Sequence, residues 1–382
     1  MTHPTRYVHL EDARRRHGAD VDRCGAWLRV GDPLADAAAA ALAPLPAAER
    51  TPLVDAALRG RLQGAPPALA DLVVSMRTLP PWVDRARMGR GAAAVVRAGL
   101  PAGLVLGCSS LVLGFCSPAG NKPLVFTGRL EGAARRRLAE TSRFVHALTT
   151  PGGALPGGEG WIAAAKVRLM HAAVRRALMA SPRWTADDWG VPINAFDSAG
   201  TILLFSLLVA DGLAGLGFPM TAEERGDLLH LWRYVGHVIG VPEPLLFADE
   251  ASARAFWDLV VTTQDPPDGD ARLLVHATLN GGLGPRETNI ATRARARAVR
   301  GVAWATARRL LDPTLVADLD FPPPDGWDRL LRLLHPANRA LTRLRSPRLD
   351  RHRYAAGVRY WEEVVREGLA GVPADFAMPG RG

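Results

Sequence analysis

Apolar residues recur at intervals of three and four along extended Ala-, Leu- and Arg-rich stretches, and no segment alternates with a period of two over the length of a strand. The pattern predicts an all-α chain. Breakers stand where helices should end: Leu79-Pro80-Pro81, Pro151-Gly-Gly, Val191-Pro192, Gly240-Val-Pro242, Asp265-Pro266-Pro267, Gly281-Gly282 and Pro322-Pro323-Pro324. They divide the chain into roughly a dozen helices. Two starts carry capping-box spacing, Thr221-x-x-Glu224 and Asn194-x-x-Asp197. The apolar runs 99–115 and 199–218 approach the length of a membrane span. Pro101, Gly103, Ser109 and Ser110 in the first and Asp211 in the second mark them instead as core helices.

Composition narrows the class. A chain of 382 residues, 48% hydrophobic, can bury a large core. The expected organisation is a single domain over 1–382, with a ligand-binding core at 120–350 and loose tails at 1–6 and 373–382. The net charge is +9, and all basic residues but Lys122 and Lys166 are arginine. These arginines are interleaved with acids, the densest run being Arg135-Arg136-Arg137, and no zinc-finger or aromatic RNA-binding motif accompanies them. Nucleic acid is therefore not an expected partner. Cys24, Cys108 and Cys116 cannot all pair and form no C-x-x-C, which favours a reducing compartment. No apolar stretch follows a basic start at the N-terminus, so the expectation is a cytoplasmic protein.

Residues 161–180 contain neither proline nor glycine and include Lys166-Val-Arg168-Leu-Met-His171-Ala-Ala-Val-Arg175. Helical spacing puts Val167, Arg168, His171, Val174, Arg175 and Leu178 on one stripe. One imidazole thus has a guanidinium a turn away on each side. Haem iron needs a neutral imidazole on a rigid element, and the ring propionates need cations in an otherwise apolar slot. Nearby arginines also disfavour the protonated ring. Small Ala172 and Ala173 would ease the approach of a flat macrocycle. The spacing suits haem without being unique to it, since a helical histidine between arginines is more often structural.

The octet Arg168-Leu-Met-His171-Ala-Ala-Val-Arg175 resembles the signature of the latex-clearing-protein (rubber oxygenase) family, which also includes the fungal membrane-bound oxygenase of mycophenolic acid biosynthesis. The likeness extends to His17-Gly-Ala-Asp-Val-Asp, Gly31-Asp-Pro-Leu-Ala-Asp, Lys122-Pro-Leu-Val-Phe-Thr-Gly-Arg129-Leu130 and Leu231-Trp232-Arg-Tyr-Val-Gly236-His237-Val-Ile-Gly240-Val. The resemblance implies a globin-like helical core around haem b with additional peripheral helices. It implies His171 as axial iron ligand, Arg168 and Arg175 flanking it, and O2 as co-substrate. The implied reaction is oxidative cleavage of C=C in an isoprenoid or other apolar substrate. A solid extracellular polymer is not the expected substrate of a chain without an export signal; a terpenoid or lipid chain is.

Opposite the haem the family places an arginine, a lysine three residues on, and a threonine next. Arg137-Leu-Ala-Glu140-Thr141 matches the arginine and threonine but puts Glu140 at the lysine. A carboxylate cannot replace a neutral amine ligand. Either that side of the iron is open or water-filled, or Glu140 is a general base near the oxygen site. The resemblance makes Arg137, Glu140 and Thr141 the candidate catalytic residues. The family also uses a distal glutamate further upstream. Only Glu131 lies nearby and Asn121 stands near the expected register, so that role is not carried over.

Competing readings remain open at this stage: a haem enzyme that N- or C-oxygenates a small metabolite, a globin-like haem sensor or carrier, and a haem-free helical interaction protein. His230 and His237, seven apart, share a helix face, and His237 reads as a buried hydrogen-bonded histidine; His146 lies near the distal segment. Two E-x-x-H motifs for di-iron, H-E-x-x-H for zinc and a G-x-S-x-G elbow are all missing.

Overall fold

Helices begin where the sequence supplies caps. Thr221 accepts from the Glu224 N–H at 3.1 Å and the Glu224 carboxylate accepts from the Thr221 N–H at 2.8 Å, closing the expected box that opens Ala222–Ile239. Asn194 makes half of its box. It accepts from the Asp197 N–H at 2.9 Å, but the Asp197 carboxylate turns to Arg6, at 2.7 and 2.9 Å. A bidentate, charge-assisted pair outweighs a bond to a neutral amide. That pair, with bonds from Thr5 N–H to Asp187 O and from Arg6 N–H to Asp188 O, pins residues expected to belong to a loose tail. The structure, a computed structural model, describes residues 3–126, 134–282, 289–344 and 346–369, so the expected tail at 373–382 lies outside the described residues.

The chain is all-α: it is 75% helical, with no strand among the described residues. Those residues form twenty-one α-helices, more than the dozen expected, because a break can need less than a Pro-Gly cluster. Gly99, at φ +53°, turns the chain by 90° between Arg85–Ala98 and Leu100–Phe115. Ser206 alone separates Ala195–Phe205 from Leu207–Gly215. The pair Ala195–Gly215 is long and apolar enough to cross a membrane, but 61% of its apolar window is buried within the protein.

The main core forms around Glu159–Met179, the helix that carries the His171 signature. It packs on Pro33–Leu42, Ala134–Thr149 and Ala222–Ile239. Trp161, Ala165, Leu169 and Ala172 are sealed inside. A second, smaller core gathers Cys108, Val112, Val275, Leu279 and Trp304. Two π-helical turns, Leu106–Ser110 and Thr278–Gly282, meet there, and the latter also packs on Ala134–Thr149. Such turns widen a helix locally and often stand near functional sites.

Candidate functional site

Arg168 and Arg175 find partners at the start of Pro33–Leu42, on its N-cap Asp32 and on Asp36, more than a hundred residues earlier. The Arg168 guanidinium donates to both oxygens of Asp32, Nε at 2.6 Å and Nη2 at 3.0 Å, and Nη1 to the Val238 carbonyl at 3.3 Å. Arg175 Nε donates to Asp36 at 2.9 Å and Nη1 to the Ile193 carbonyl at 2.7 Å. Asp32 is also the helix N-cap, accepting from the Ala35 N–H at 3.2 Å ahead of Pro33. Gly240 closes the clamp from Ala222–Ile239. A Cβ there would stand 2.2 Å from the Asp32 carboxylate, and φ is +97°.

Three stretches singled out in the sequence, 31–36, 168–175 and 236–241, therefore meet at one place. Each of the two arginines, expected at the ring propionates, is engaged by an aspartate. What they offer a ligand directly is Arg175 Nη2, which is buried without an acceptor among the described residues. Sequence reasoning missed Asp32 and Asp36 as the clamp. The available signal was two acids four apart, hence on one helix face. A core bounded at 120–350 also leaves this clamp out.

His171 sits between the two fixed guanidiniums and keeps part of its surface accessible. Its ring makes no hydrogen bond among the described residues. Burial, reinforced by Arg175 and opposed by Asp32, pushes its pKa down to about 4. The imidazole is thus neutral through the physiological range, with a lone pair available. Ala172 is fully buried in the core and Ala173 half-buried, so only Ala173 has surface to spare beside the ring.

The helix Ala134–Thr149 faces the signature helix across a close contact: a Cβ on Gly160 would lie 2.6 Å from Leu148 Cα. The two helices pack together, so the helix of Arg137, Glu140 and Thr141 lies against the one that carries His171. Arg137, Glu140 and Thr141 share a face by spacing, and Glu140 and Thr141 are half-buried. The side chain of Arg137 lies outside the described residues, as do Arg129, Leu130 and Glu131. Asn121 is buried and donates to the Phe115 carbonyl, a structural bond.

The other histidines separate clearly. His230 Nε2 accepts from the Asp84 N–H at 2.9 Å and packs edge-on against Trp82. His237 stacks on Tyr234 and meets the edge of Trp82, with Arg233 3.9 Å above that indole. Its pKa is lowered by burial and by Arg168, and its Nε2 has no hydrogen-bond partner among the described residues. His237 therefore stands behind the clamp. Burial lowers the His146 pKa while Glu362 opposes it, so His146 faces Pro347–Leu369. No cluster of three or more metal-ligating side chains occurs among the described residues. A cleft of about 80 Å³ is lined by Arg6, Ser117, Lys122, Trp189 and Asp265, among others, and by no residue of the signature helix.

The family described as ER-bound oxygenase mpaB/B'/rubber oxygenase, catalytic domain, matches residues 95–340, nearly two thirds of the chain. The chain belongs to this family. A rubber oxygenase of Streptomyces sp. (strain K30) is 28% identical over 239 residues, 60% of this chain. The alignment spans 57% of that relative's length. The structure of latex clearing protein LCP in the closed state superposes with a TM-score of 0.67 at 22% identity, covering 88% of this chain and 90% of that one. It shares the fold. The matched region, described as an oxygenase catalytic domain, contains His171 together with Arg137, Glu140 and Thr141.

Proposed function

We propose that this enzyme is a haem b-dependent oxygenase, with His171 as the axial iron ligand, that cleaves a C=C bond of an isoprenoid or other apolar substrate with O2. The observation that carries the reading is the setting of His171: an imidazole free of hydrogen bonds among the described residues, held neutral by its burial, on a helix fixed by one buried and one partly buried arginine–aspartate pair. The residues fit the group. A rigid lone-pair donor and one orphaned cationic N–H, on Arg175, suit iron and a propionate respectively.

Bound haem would supply the redox centre that activates O2. The chain supplies the rest. The Arg168–Asp32 and Arg175–Asp36 pairs hold the signature helix, and hence the imidazole, in place. Burial, reinforced by the charge of Arg175, keeps a proton off the ring. From the facing helix, Arg137 and Thr141 position substrate, and Glu140 takes a proton from it and returns that proton as the carbonyl products form. Cleavage of C=C by O2 into two carbonyls balances without an external reductant, since both oxygen atoms end in product. The three cysteines are unpaired, which suits a reducing cytoplasm.

Glu140 favours one second reading. With the family's lysine replaced by a carboxylate, proton abstraction from a small biosynthetic metabolite, followed by its N- or C-oxygenation, is the alternative chemistry. Oxygen uptake by the purified enzyme with a panel of soluble terpenoids decides between them. Uptake with release of carbonyl products supports cleavage; oxygenated products of unbroken carbon skeleton support the second reading.

A further inference from the structure

A surface helix ordinarily turns its apolar stripe inward; Gly326–Arg343 does not. None of its residues is buried. Its half-buried side chains, Trp327, Asp328, Leu331, His335, Asn338 and Thr342, repeat at helical spacing and seat it on the protein. Asn338 donates to the Leu216 carbonyl at 3.1 Å, Thr342 to the Gly217 carbonyl at 3.3 Å, and Asp328 accepts from Arg308 at 2.6 Å.

The leucines form a strip beside that seat. Leu330, Leu333, Leu334 and Leu341 are 40, 69, 42 and 55% exposed, and Leu344 just past the helix end is 60% exposed. Arg329, Arg332, Arg339 and Arg343 form a third strip on the far edge, all exposed. None of the four has a carboxylate partner among the described residues. Asp328, the one acid in the helix, is taken by Arg308. Arginines that look evenly scattered in the sequence are thus concentrated on one edge by helical periodicity.

We propose that this face seats the enzyme on an anionic lipid surface. The helix lies in the plane of the interface, its leucines in the acyl boundary and its arginines among the phosphate headgroups. Charge decides the occupant. A second copy docking face to face would set unpaired arginines against unpaired arginines, whereas anionic headgroups complement them. Four arginines in one helix also exclude a span. The proposal does not rest on the haem reading.

The test is flotation of the full-length protein with vesicles of phosphatidylcholine alone and of phosphatidylcholine with about one third phosphatidylglycerol, at low and high salt. Wild type should float with the anionic vesicles and less so in high salt. Leu333→Asp/Leu341→Asp should cut the bound fraction about tenfold or more, and Arg332→Glu/Arg339→Glu should abolish the preference for anionic lipid. Both variants should keep the wild-type melting temperature, because the altered side chains are exposed. Absence of wild-type flotation, or variants that float like wild type, overturns the proposal. So does a dimer in light scattering that the leucine variant dissolves while vesicle binding stays unchanged; that outcome gives the face to a second copy.

Discussion

Asp32 and Arg168 are a buried bidentate pair, and removing one partner leaves the other charged and unpaired. Arg168→Ala or Asp32→Ala is expected to cost about 3–5 kcal/mol of stability, read as a lower chemical-denaturation midpoint. The double variant Arg168→Leu/Asp32→Leu should recover part of that loss. A single variant with wild-type stability would show that the clamp is not structural. Gly240→Ala forces a positive φ and a clash with the same carboxylate, and should cost about 1–3 kcal/mol. At Glu140 the prediction is kinetic. Glu140→Gln keeps size and removes the base, so turnover should fall about 10²–10⁴-fold while haem content stays constant. Unchanged turnover would put the proton transfer elsewhere.

At the scale of elements, Glu250 and Asp211 tie three helices together through Arg225 and Arg254, at 2.6 to 2.8 Å. Arg225, with Arg254, holds the Glu250 carboxyl down to about 2, below its ordinary 4.5. The folded form therefore binds the proton less readily than the unfolded one. The contribution is full above pH 4.5 and is lost as pH falls toward 2. The group is partly exposed, so Glu250→Gln should cost no more than about 1 kcal/mol near neutrality. The gap between variant and wild type, followed by thermal unfolding, should close near pH 2. A gap constant with pH would mean that the carboxylate charge contributes nothing. Helices and the Thr221 cap were legible in the sequence because each depends on neighbours within four residues. The Ser206 break was not, since no strong breaker marks it. The diversion of Asp197 was not either, because its partner Arg6 lies 191 residues away.

For the whole molecule, His171 and its flanking arginines could be read from one octet, but what the arginines bind could not. Asp32 stands 136 residues from Arg168, and only the packing of Pro33–Leu42 on the signature helix joins them. The apolar face of Gly326–Arg343 was hidden for the opposite reason: its periodicity is that of an ordinary amphipathic helix, and only tertiary structure shows which face is seated. The central claim is that His171 holds haem iron. It is tested most directly by the absorption spectrum of wild type and His171→Ala purified after haem supplementation, recorded before and after dithionite and CO. The account predicts stoichiometric haem b in wild type, a Soret band that shifts with CO, and loss of most haem in the variant at unchanged helical content. Full haem retention by His171→Ala, or a wild type with no Soret band, would contradict it.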